Sequence, residues 1–65
     1  MPDDNREMAI RHVLNGRRIV ANQRLLIHRL REQSLPTGDS ECLLDQFERT
    51  LRIFEEDLHR IDAAR

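Results

Sequence analysis

The sequence predicts an all-α fold: an antiparallel two-helix hairpin that pairs with a second copy to make a four-helix bundle. Three observations carry that expectation. Apolar residues recur three and four apart through Leu44, Phe47, Leu51, Phe54, Leu58 and Ile61, and a broader ladder runs through Met8, Val13, Ile19, Val20, Leu26, Ile27 and Leu30. That period belongs to amphipathic helices, and β-type alternation is absent. One short break, Ser34-Leu35-Pro36-Thr37-Gly38, separates the ladders. Finally, 65 residues make a single domain with a modest core, and chains this short lean on metals, disulfides or oligomerisation.

The first helix is expected over residues 5–33. Asp4 occupies an N-cap position, with Glu7 at capping-box spacing, and both carboxylates suit the positive end of the helix dipole. No proline interrupts the segment. Pro36 then forbids continuation and biases Leu35 away from helical dihedrals. Thr37 is the next expected cap, its hydroxyl accepting a bond from the backbone N–H near Asp39 or Ser40. The second helix is expected over residues 38–62, leaving 1–4 and 63–65 as loose termini of a single hairpin domain.

Placed at about 100° per residue, Leu43, Leu44, Phe47, Leu51, Phe54, Leu58 and Ile61 form one stripe on the second helix, opposite Asp45, Glu48, Arg52, Glu56 and His59. The first helix has a main stripe of Ala9, Val13, Ile19, Val20, Leu26, Ile27 and Leu30, with His12, Gly16 and Gln23 along its centre. A weaker row, Ile10, Leu14, Ala21 and Leu25, lies on the far side. A helix apolar on two sides has two neighbours, one within the hairpin and one from another chain. In a lone hairpin the seam is covered from one side only. Packing two hairpins covers the rest. The expected core and dimer residues are Ile19, Val20, Leu26, Ile27, Leu30, Leu44, Phe47, Leu51, Phe54 and Leu58.

The 11 positive charges are all arginine. Residues 5–33 carry seven of them against two glutamates, a net of +5, while residues 38–62 carry three against eight acids, a net of −5. The first reading is complementarity across the helix pair. The second is an acidic partner such as RNA, met by Arg6, Arg17, Arg24 and Arg31 in one row and Arg11, Arg18 and Arg29 in another. Aromatic stacking residues on that surface are missing.

Three polar or small residues on the seam are read as specifying it. With a turn near residue 36, facing positions sum to about 72, so Gly16 falls between Phe54 and Leu58, where a missing side chain admits the Phe54 ring. Gln23 is a buried amide near Phe47, Thr50 and Leu51, satisfied by Thr50 or by its own symmetry mate. His12 is expected as a core histidine hydrogen-bonded across the pair, with pH-dependent assembly as the alternative. His59 points to the wet face and His28 shows no carboxylate at ligand spacing, so no metal site is assigned. Cys42, the one cysteine, reads as a small filler. It excludes an intrachain disulfide. The run Glu55-Glu56-Asp57 reads as a solvated face.

The pattern His12-Val13, Gly16, Ile19, Gln23, Leu26-Ile27, Leu30, Thr37, Leu43-Leu44, Phe47-Glu48 and Thr50-Leu51 resembles a group of short helical-hairpin proteins of α-proteobacteria, rhizobia and their relatives. The likeness covers roughly residues 9–61. It departs at Ser34-Leu35-Pro36, where the group has a glycine-containing loop, and at Phe54, where a histidine is common. The group has no settled activity, so the resemblance implies fold and cytoplasmic location. By architecture the chain is also similar to small RNA-binding hairpin dimers that control plasmid copy number.

The acidic start, Met1-Pro2-Asp3-Asp4, lacks the features of a signal peptide, and the longest apolar runs are three residues, far short of the ~20 that span a bilayer. The expectation is a cytoplasmic, non-enzymatic homodimer without a cofactor, open to higher assembly through the second apolar row. It would act as a protein-interaction or regulatory adaptor. The alternative is an RNA-binding regulator using the arginine rows.

Overall fold

Two apolar ladders free of internal proline become two helices, and the Pro36 break becomes the turn between them. The computed structural model describes residues 4–64: α1 (Asp4–Glu32) and α2 (Gly38–Ala63), packed against each other as an all-α hairpin. The rod measures 50 × 15 × 12 Å. Asp4 and Glu7 both stand in the first turn of α1. Asp4 is therefore helical rather than the cap outside the helix. Of the termini expected to be loose, Asp4 and Ala63 are helical, while 1–3 and 65 lie outside the described residues.

The turn is closed by backbone hydrogen bonds. Leu35 N–H donates to the Leu30 carbonyl at 2.8 Å and Ser34 N–H to the Arg31 carbonyl at 3.0 Å. This is the paired arrangement that satisfies the last carbonyls of a helix when the residue beyond it turns left-handed. Ser34 is that residue, with φ 56°. A side chain there is disfavoured because Cβ crowds the next carbonyl. Ser34→Gly should therefore raise stability by about 0.5–1 kcal/mol, the strain relieved being partly offset by a more flexible unfolded chain. An unmoved or lowered urea midpoint would contradict this.

Thr37 does occupy the N-cap of α2, but its hydroxyl makes no cap hydrogen bond. With φ −118° and ψ 0°, its backbone lies outside the extended region from which a cap side chain reaches back to the first amides. Instead Thr37 Oγ1 donates to Glu41 Oε2 at 3.2 Å, and the Thr37 carbonyl accepts from Glu41 N–H at 2.8 Å.

Where the helices meet, small and branched residues of α1 sit under larger residues of α2. Among the described residues the hairpin buries Ala9, Val13, Val20, Gln23 and Ile27, all from α1, and none from α2. Leu30, Leu44, Phe47, Leu51, Phe54, Leu58 and Ile61 are half-buried. Two expected core residues fall outside the hairpin core: Ile19 is 37% exposed and Leu26 41%. Leu43, expected in the seam of α2, is likewise exposed. All three lie on a flank of the seam that the opposite helix covers only in part.

Candidate interaction face

The two flanks of the helix seam differ in kind. Along one, arginines of α1 reach carboxylates of α2: Arg6 Nε lies 2.7 Å from Asp62 Oδ1, Arg17 3.3 Å from Glu55, Arg24 2.7 Å from Glu48, and Arg31 pairs with Glu41. The last three pairs have residue numbers that sum to 72, matching the expected register. These side chains are largely exposed, and each such pair contributes roughly 0–1 kcal/mol. Their main effect is to fix which way the helices are turned. The grooves on this flank are walled by Arg17, Arg24, Glu48 and Glu55, and by Arg24, Arg31 and Glu41.

The opposite flank has no cross-helix ion pair among the described residues and is mostly apolar, with Asn5, Asn15, Thr50, Asp57 and Arg60 at its edges. One groove there is lined by Met8, His12, Phe54 and Ile61, and a second by His12, Ile19, Phe47 and Phe54. The two share His12 and Phe54, so they form one continuous face. Leu26 extends it one heptad beyond Ile19, and Leu43 one turn before Phe47. Met8 (52%), Leu26 (41%) and Leu43 (44%) are open to solvent on it. These exposed apolar side chains are thus clustered on one flank.

Gly16 serves close packing, but not for the residue expected. A Cβ built on Gly16 would stand 3.1 Å from Leu51 Cδ1 and 3.8 Å from Leu51 Cα. Leu51, one turn short of Phe54, fills the gap because long arginine and glutamate side chains lean along the rod, placing the backbone register a few residues from theirs. Phe54 instead lies against His12, ring centroids 4.8 Å apart and planes tilted by 33°. His12 is exposed, and its ring makes no hydrogen bond to another described residue. The expectation of a hydrogen-bonded core histidine is therefore corrected.

Gln23 is buried, as expected, and within the hairpin its Nε2 donates not to Thr50 but to the Ser40 carbonyl at 2.9 Å. It ties the middle of α1 to the first turn of α2. No described buried side-chain polar atom lacks a partner. Gln23→Ala removes this tie and opens a small void, and should cost about 1–2 kcal/mol. Urea unfolding with a wild-type midpoint would show the bond to be idle.

Two further readings are corrected. Cys42 is exposed rather than a packed filler, since its row on α2 faces away from α1. His28 does have a carboxylate in reach, Glu32 Oε1 at 3.1 Å one turn on. Among the described residues no group of three or more His, Cys, Asp or Glu is arranged to hold a metal ion. No described helix is long and apolar enough to cross a membrane.

The two arginine rows diverge. Arg6, Arg17, Arg24 and Arg31 are engaged with α2. Arg11, Arg18 and Arg29 meet no carboxylate among the described residues. Both rows were visible as spacing, and the difference between them arises only when α2 is docked. Comparison with protein-family models, with curated proteins and with solved structures gives no match.

Proposed function

We propose that the protein is a non-enzymatic α-helical homodimer that acts as a protein-interaction or regulatory adaptor in the cytoplasm. One observation carries the reading: the hairpin is one-sided, with ion pairs along one flank and a continuous apolar face along the other. A second copy is the occupant this face fits. The chain exposes 5293 Å², whereas a compact globule of 7.8 kDa exposes about 4,400 Å². A compact globule of twice that mass exposes about 7,300 Å², so pairing two hairpins can bury on the order of 3,000 Å² in all. That is the range of permanent interfaces. The half-buried α2 residues Leu44, Phe47, Leu51, Phe54 and Leu58, with Ile19, Val20, Leu26, Ile27 and Leu30, then become the core of a four-helix bundle.

Folding coupled to pairing makes the melting temperature rise with protein concentration. Calorimetry over a hundredfold dilution series should show that rise. A concentration-independent transition at fixed monomer mass would defeat the dimer.

The competing reading, an RNA-binding regulator, draws on Arg11, Arg18 and Arg29, because the other row is held by α2 carboxylates. Affinity for RNA that falls steeply with salt and is lost in Arg11→Glu and Arg18→Glu would favour it. No RNA binding at low salt would remove it.

A further inference from the structure

The apolar face has two charged rims, and their spacing matches. On the α1 rim stand Arg11 and Arg29, 18 residues apart, which is five whole turns or about 27 Å. On the α2 rim stand Asp39 and Asp57, also 18 residues apart. Asp57 borders the groove that holds His12 and Phe54, and Asp39 lies five turns from it on the same line. The Gly16–Leu51 approach sets the height of one helix against the other, and in that register Arg11 is level with Asp57 and Arg29 with Asp39. Within one chain the width of the apolar face separates them. Among the described residues Arg11 and Arg29 are without a carboxylate, and the ion pair of Asp57 is with Arg60 on its own helix, at 2.7 Å.

We propose that the two copies pack face to face about an axis running lengthwise along the rod, with both turns at the same end. This rests on the dimer proposed above. A lengthwise two-fold axis keeps every residue at its own height and exchanges the rims. Arg11 then sits beside Asp57 of the partner subunit, and Arg29 beside Asp39 of the partner subunit, each contact occurring twice. Every basic α1 is flanked by two acidic α2 helices, its own and the partner's. The other two-fold arrangement, with the axis across the rod and the turns at opposite ends, stacks α1 on α1 and α2 on α2. It gathers Arg11 and Arg29 of both copies along one edge, and Asp39 and Asp57 of both along the other, leaving like charges facing each other, which disfavours docking. Apolar burial is of the same order in both, so the rims select between them.

The turns provide the measurement. Leu35 is exposed in the turn, so Leu35→Cys in a Cys42→Ser background carries a nitroxide label without touching the face. With both turns at one end the labels are separated by the bundle's thickness, about 10 Å between helix layers plus the label arms, and pulsed electron resonance should give a distance under about 25 Å. A distance near the 50 Å length of the rod would overturn the arrangement while leaving the dimer intact. Absence of any intermolecular distance at monomer mass would overturn the dimer and the arrangement together. As a second readout, Arg29→Asp should weaken dimerisation about fivefold, two copies of an exposed pair being lost. Adding Asp39→Arg should restore it. Failure of the swap to restore affinity in folded protein counts against the pairing.

Discussion

Leu26→Asp is expected to shift the protein from dimer to monomer. In a lone hairpin this residue is 41% exposed, so an aspartate there gives up the covered three-fifths of a leucine, about 1–2 kcal/mol. In the proposed dimer the same side chain is covered by the second copy. Pairing covers the two-fifths of the side chain still open, so losing it forfeits about 0.6–1.2 kcal/mol per copy, and each new carboxylate must shed water without a cation opposite. The dissociation constant should rise at least about 100-fold, since 1.4 kcal/mol corresponds to a factor of ten. Light scattering after size exclusion reads the mass. Leu14→Asp is the control: Leu14 is 56% exposed on the outer row of α1, away from the apolar face, and its variant should keep the wild-type mass. Equal masses for both variants and the wild type would mean that the face at Leu26 is not the dimer contact.

Gly16→Leu is expected to be the most damaging change inside the hairpin itself. The first added carbon already stands 3.1 Å from Leu51 Cδ1, so the remaining atoms have to displace Leu51 or push the helices apart. Overpacking of this kind costs about 1–3 kcal/mol, against a helix-propensity gain of at most ~1 kcal/mol on removing glycine. For a domain of this size the loss lowers the melting temperature by about 5–15 °C. Gly16→Ala is milder because the atom it meets is the end of a flexible side chain. Its propensity gain and repacking cost nearly cancel. Leu51→Ala should partly rescue Gly16→Leu, a coupling that a double-mutant cycle isolates. An unchanged melting temperature for Gly16→Leu would refute the close-packing role.

Much of this architecture is legible from spacing alone. Two ladders of period 3.6, one proline and the charge asymmetry between segments suffice for the hairpin, because helix position and cross-helix ion pairs follow from residue number. The sum of 72 for Arg17–Glu55, Arg24–Glu48 and Arg31–Glu41 is a direct consequence. Finer contacts were not legible. Which side chain fills the space at Gly16, Leu51 or Phe54, depends on how far long side chains lean along the rod, which spacing does not encode. Gln23 was recognisable as a buried amide, but its acceptor is a backbone carbonyl, and every residue type supplies one. The Thr37 cap failed because backbone dihedrals, not residue type, decide whether a hydroxyl reaches the amides. The one-sidedness of the face was hidden for a related reason. His12, Ile19 and Leu26 share an arc with Val20 and Ile27, and only the docked position of α2 divides that arc into covered and open halves.

Sedimentation equilibrium across the micromolar range tests the central claim most directly. The one-sided hairpin predicts a single species of twice the 7.8 kDa chain mass, giving way to monomer only as helical signal is lost on dilution. A species of single-chain mass that keeps full helicity and a cooperative melt would contradict it.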